Sequence, residues 1–197
     1  MIKKLVLPIL FAAALLASAN AATGVFGGYI VLNINGGGSQ FFKLENPADT
    51  VTPTFGGNLG TFDPAVNSLF LTGGEADTFK NGTSDVTAAF LNYRIYTGAP
   101  AGSFANLNLP FNSDLGNGDQ KWQTTSANNN LLTGLANGTY TLEVFVNSNT
   151  NEGDQFLNAG GANYKATFTV VPEPATVSLL AGPALLGAWF YARRRRA

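Results

Sequence analysis

Val86-Thr87-Ala88-Ala89-Phe90-Leu91-Asn92-Tyr93-Arg94-Ile95-Tyr96-Thr97 is the longest uninterrupted run of alternating character in the chain. Read with a period of two, it places Ala89, Leu91, Tyr93 and Ile95 on one face and Phe90, Asn92, Arg94 and Tyr96 on the other. That spacing suits a strand and not a helix. Its length and its substantial side chains on both faces predict a central position in a sheet.

Shorter runs of the same kind lie on either side. Ile30, Leu32 and Ile34 alternate until Gly36-Gly37-Gly38, and Phe42 and Leu44 mark a second strand before the loop-like residues 46–60. Leu69 and Leu71, then residues 78–80, flank a Gly73-Gly74 pair that reads as a turn. Residues 121–125 form a short strand carrying Trp122. Residues 139–147 alternate through Tyr140, Leu142, Val144 and Val146, and residues 165–171 through Ala166, Phe168 and Val170. Seven or eight short strands with turn punctuation and no helical period predict an all-β fold, a single antiparallel β-sandwich.

The string Leu132-x-x-Leu135-x-x-Gly138-x-Tyr140-x-Leu142 resembles the corner that enters a late strand of immunoglobulin-like and fibronectin-like sandwiches. The resemblance implies a tyrosine hydroxyl bonded back to nearby backbone. Gly73-Gly74-Glu75, residues 92–96, residues 118–123 and Asn163-Tyr164-Lys165-Ala166 are also similar to β-sandwich modules of secreted bacterial surface proteins, for which no catalytic residues carry over.

Composition removes many chemistries. The chain has no cysteine and no histidine, so it has no Ser-His or Cys-His nucleophile pair and no imidazole or thiolate zinc site. Residues 22–171 hold five basic residues (Lys43, Lys80, Arg94, Lys121, Lys165) against eleven acidic, a net charge of minus six. Such a domain carries no electrostatic footprint for nucleic acid.

Both ends differ from this acidic middle. Lys3 and Lys4, the apolar residues 5–16 and Ala19-Asn20-Ala21 read as a secretory signal peptide over residues 1–21, with Ala19 and Ala21 at the signal peptidase site. The Sec translocon and signal peptidase are the partners this leader implies. At the other end, residues 175–192 carry no charge and would reach roughly 27 Å as a helix, close to a bilayer's hydrocarbon core. Arg193, Arg194, Arg195 and Arg196 follow, and such a cluster stays cytoplasmic, which places residues 22–171 across the membrane. Pro172 and Pro174 disfavour helix in the residues before them, keeping Glu173 extended.

Pro172-Glu173-Pro174, the apolar span and the terminal arginines together resemble the PEP-CTERM sorting signal of Gram-negative bacteria, here residues 172–197. The resemblance implies an exosortase as processing partner, an inner-membrane stage with the domain on the periplasmic side, and a final place at the cell surface or outside, in organisms that make exopolysaccharide. It concerns destination and not the activity of the cargo.

Within the domain, Asn81-Gly82-Thr83 and Asn137-Gly138-Thr139 match a glycosylation pattern but read as turns, Asn-Gly being a strong hairpin signal. Strand parity puts residues 72–76, 98–120 and 148–163 at one end of the sandwich, with residues 81–85 and 126–138 at the other. Val171 is then expected to leave opposite the long loops, which would face outward. Asp114, Asp119, Glu152 and Asp154, with Glu75, make those loops candidates for calcium, although no EF-hand spacing is present. Trp122, Tyr164 or Phe156 beside Asn and Asp side chains offers a carbohydrate platform instead. Core packing is the stronger expectation for Trp122. The functional expectation is therefore a non-catalytic exported surface or matrix protein associated with exopolysaccharide. The alternatives are a carbohydrate-binding module and a two-carboxylate glycosidase using Asp114 and Asp119.

Overall fold

The computed structural model describes residues 22–171. Among the described residues twelve strands form two sheets: β1 (Thr23–Ile34), β2 (Ser39–Glu45), β3 (Asn58–Phe62), β4 (Leu69–Lys80), β5 (Val86–Tyr96), β6 (Ala105–Leu109), β7 (Phe111–Gly116), β8 (Asp119–Thr124), β9 (Asn129–Asn130), β10 (Gly138–Thr150), β11 (Gln155–Leu157) and β12 (Tyr164–Val170). The first sheet runs β2-β1-β4-β8-β7, with β9 on β4; the second runs β3-β12-β10-β5-β6, with β11 on β10. The described residues form an all-β, two-sheet sandwich.

The stretch 86–97 behaves as its alternation predicts. β5 lies inside its sheet between β10 and β6, with Ala89 and Leu91 fully buried toward the opposite sheet. The core between the layers is built from such inward positions: Ile30 and Leu32, Leu69 and Leu71, Leu142, Val144 and Val146, and Ala166, Phe168 and Val170. Full burial of each large aliphatic side chain stabilises the fold by about 1.5–3 kcal/mol. Phe168 sits edge-on to Phe62 at 6.2 Å and stacks on Tyr140 at 5.6 Å. The Tyr140 hydroxyl donates to the Ala136 carbonyl at 2.8 Å, closing the corner that its motif predicted.

Gly73-Gly74 is not a turn. Both residues lie inside the 12-residue strand β4, where Gly73 pairs with Val31 and Gly74 with Ile30. Their small size serves close approach: a Cβ on Gly73 would lie 1.9 Å from the Thr124 carbonyl oxygen, and one on Gly74 3.0 Å from Leu91 Cδ2. Nor is every pairing antiparallel, because β3 joins β12 in parallel. The segment between β2 and β3 carries the chain from one sheet to the edge of the other, so β3 starts at the end where β12 also starts.

The expected long loop 98–120 contains a descending strand. β6 pairs with β5 and β7 with β8, so residues 105–116 run through both sheets and change from one to the other at Pro110. That extra strand reverses the parity of everything after it. Residues 98–104 and 125–137 therefore share an end with Val171, while residues 46–57, 81–85, 117–118 and 151–154 gather at the opposite end. Val171 itself is fixed there, its amide donating to the Phe62 carbonyl at 2.9 Å.

Candidate functional site

Backbone register assembles the most distinctive surface of the domain on the outer face of the second sheet. Along β10, Val144 and Val146 point into the core, so Glu143, Phe145 and Asn147 point outward by the period of two. Along β5 the same rule turns Phe90, Asn92 and Arg94 outward. Phe145 stands opposite Asn92, which stands opposite Asn106 of β6. One rung away, Phe156 of β11 stands opposite Asn147, then Phe90, then Asn108. Phenylalanine and asparagine thus alternate along the second rung, and Phe145 and Asn92 offset that order on the first, which ends in a second asparagine.

These groups are held in place from below and from the side. Asn92 Nδ2 donates to Asn147 Oδ1 at 2.7 Å, and Asn147 Nδ2 to Asn149 Oδ1 at 3.2 Å, which aligns three amides across two strands. Phe145 packs edge-on against Phe104 at 4.9 Å and lies 6.3 Å from Phe156. The Arg94 guanidinium covers Phe104 at 4.3 Å and is itself clamped by Glu143, at 2.9 Å from Nη2 and 3.1 Å from Nε. Burial pushes the Glu143 carboxyl up, but hydrogen bonds from Asn163, Arg94 and Tyr96 outweigh it and hold the group below its ordinary value. Phe156 is left 52 % exposed, and Asn106 and Asn108 are exposed on the edge strand.

The predicted site residues do not converge. Trp122 is 8 % exposed, its Nε1 donates to Thr78 Oγ1 at 3.1 Å, and its ring belongs to the core, edge-on to Phe111. Asp114 receives the Gly116 amide at 2.8 Å in β7, Asp119 opens β8, Ser84 donates to Glu152 in the 151–154 turn, and Asp154 ends that turn, just before β11. Among the described residues, no group of three or more His, Cys, Asp or Glu side chains is placed to hold a metal ion. Tyr164 is engaged with Glu45 at 2.8 Å, its hydroxyl pKa raised by burial first and by that carboxylate second. Of the three platform aromatics foreseen, only Phe156 stands on the open face. Ala19, Ala21, Pro172, Glu173, Pro174 and Arg193 to Arg196 lie outside the described residues, as does the span 175–192. Among the described residues no helix is long and apolar enough to cross a membrane.

A second polar cluster lies on the first sheet. Glu75 and Asp77, two apart on β4, are each 5 % exposed and point the same way. Lys121 reaches Glu75 at 3.1 Å and Gln123 donates to it, while Asn46 Nδ2 donates to Asp77 Oδ2 at 3.2 Å. Asp77 Oδ1 has no partner. Burial, and then the charge of Glu75, pushes the Asp77 carboxyl up to about 6 against the pull of Lys121. Beside it the Tyr29 hydroxyl donates to Asp49 at 2.8 Å. Reading Glu75 as a loop acid hid this pair; the Glu-x-Asp spacing becomes a shared face only once β4 is recognised as one strand.

No family model matches the chain, and no curated protein matches it. Among solved structures, the CooA pilin subunit from enterotoxigenic Escherichia coli aligns at a TM-score of 0.26 and 10 % identity, covering 73 % of this chain and 99 % of that one.

Proposed function

We propose that this is a non-catalytic exported surface or extracellular-matrix protein, sorted through a PEP-CTERM signal at residues 172–197 and associated with exopolysaccharide. The observation that carries the reading is the order Pro172-Glu173-Pro174, uncharged residues 175–192, Arg193 to Arg196, behind a secretory leader over residues 1–21. In this reading the Sec translocon and signal peptidase export the chain, the span holds it in the inner membrane with residues 22–171 on the periplasmic side, and an exosortase then processes it at the extended Pro-Glu-Pro segment.

The folded domain is compatible with that route. Its last strand ends at a fixed point, Val171 on Phe62, so the processing segment begins at the rim of a firm sandwich. A tether there points residues 46–57, 81–85 and 151–154 away from the membrane. We read the sandwich as immunoglobulin-like: β1-β4-β8-β7 follows the ABED order and β12-β10-β5-β6 the GFC order extended by one strand, with Tyr140 at the corner entering the F position. A chain without histidine or cysteine supports a non-catalytic role.

Cell fractionation tests the proposal. In a host with an exosortase, the wild-type chain is expected in the surface or extracellular fraction, and Glu173→Ala is expected to accumulate in the inner membrane. Identical distribution of the two would overturn sorting by this signal, and release of reducing sugar from the host's polysaccharide by the purified protein would overturn the non-catalytic role.

A further inference from the structure

The outer face of β11-β10-β5-β6 combines features that neither core packing nor solubility requires. A strand position facing water is ordinarily filled by Thr, Ser or Lys, yet Phe156 stays 52 % exposed at the β11 end of its rung, paired with Asn147. Around it the polar positions are almost all amides, each presenting both a donor and an acceptor. No charged residue lies on either rung: Arg94 and the buried Glu143 occupy the next one and neutralise each other.

We infer that this face is a binding platform for an extended, neutral, hydroxyl-rich polysaccharide, and the inference rests on the reading of the protein as a polysaccharide-associated matrix component. Phe156 is exposed, with Phe145 and Phe90 half-buried beside it, and the negative quadrupole of an aromatic ring attracts the weakly positive C–H groups of a pyranose ring. Asn106 and Asn108, exposed on the edge strand, and the half-buried Asn147 stand between and beside them to exchange hydrogen bonds with hydroxyls, while the buried Asn92 holds Asn147 in place. The rung Phe156-Asn147-Phe90-Asn108 crosses four strands, so it is roughly 14 Å long at about 4.8 Å per strand. That is the reach of a short oligosaccharide segment and not of a single sugar.

Two further points favour this occupant. The Asn92-Asn147-Asn149 chain and the Arg94-Phe104-Phe145 stack fix side chains before any ligand arrives, which lowers the ordering cost of binding. The domain's net charge of minus six opposes a polyanionic chain, so the matching polymer is uncharged.

Affinity electrophoresis of mature protein recovered from cells expressing the full chain is the test. Native gels would contain a soluble cellulose derivative, a dextran, a galactomannan or the producer's own polymer, with alginate as the polyanionic probe. The wild type is expected to be retarded by at least one neutral polymer and not by alginate. Phe156→Ala and Asn108→Ala, both at exposed positions, are expected to weaken that binding fivefold or more with unchanged melting temperature. Retardation by no neutral polymer, equal retardation of wild type and both variants, or stronger retardation by alginate would overturn the platform. So would a dimer in sedimentation that Phe156→Ala abolishes, since the face would then bind a second copy. Fractionation reads sorting independently, so a platform that fails beside correct sorting leaves the proposed function standing.

Discussion

Replacing Asp77 by asparagine should stabilise the domain at neutral pH and leave it unchanged in mild acid. Asp77 is 5 % exposed, lies beside Glu75 and has one carboxylate oxygen without a partner. Burial and that neighbour raise its pKa from 3.8 to about 6. In the unfolded chain the group ionises near its ordinary value, so between pH 4 and 6 the folded protein binds more protons than the unfolded one. Stability therefore rises as pH falls through this window, and the destabilisation is fully present above pH 6. A shift of about two units corresponds to roughly 3 kcal/mol at most; partial screening by the polar surroundings reduces this to roughly 1–3 kcal/mol. Asparagine mimics the protonated form, accepting from Asn46 and donating toward Glu75. Urea denaturation of wild type and Asp77→Asn at pH 8, 6 and 4 should show a gain of roughly 1–3 kcal/mol at pH 8 that shrinks to near zero at pH 4. A gain that does not change with pH, or a loss at pH 8, would refute the reasoning.

Other substitutions probe the frame itself. Gly73→Ala forces β4 and the Thr124 backbone apart, because the new Cβ would sit 1.9 Å from a carbonyl oxygen; it should cost about 3 kcal/mol or more and clearly exceed Gly74→Ala, whose Cβ meets nothing nearer than Leu91 Cδ2 at 3.0 Å, Leu91 Cβ at 3.2 Å and the Tyr29 carbonyl oxygen at 3.3 Å. Equal melting temperatures for the two variants would contradict that reading of β4. Tyr140→Phe keeps the stacking on Phe168 and removes the hydrogen bond to Ala136, so chemical denaturation should show a loss of about 1 kcal/mol. Trp122→Ala should destabilise the sandwich by about 3–5 kcal/mol, read as a lowered unfolding midpoint.

The strands that alternate strictly were legible in the sequence, and those interrupted by glycine were not. Residues 86–96 declared both faces of β5 by their alternation, and the hydrogen bond of Tyr140 was implied by the resemblance of its motif to a sandwich corner. Gly73-Gly74 misled because two glycines signal equally a tight turn and a strand crossed closely by another backbone; only the position of Thr124, 51 residues away in sequence, separates the two. The short strands of residues 105–116 were hidden by their polar composition, and missing one of them placed Val171 opposite residues 98–104, whose end it shares, although it does lie opposite residues 151–154 as expected. Half of the Phe-Asn face, the β5 side, could be read from the alternation. Its other half needed the register of β10 and β11 against β5, which no local pattern contains.

The central claim is that the ends of the chain are processing signals around an exported sandwich. Intact-mass spectrometry of the mature protein from an exosortase-bearing host tests it most directly. The account predicts a chain that begins near Ala22 and has lost Arg193 to Arg196; a mass that retains all four arginines, or residues 1–21, would contradict it.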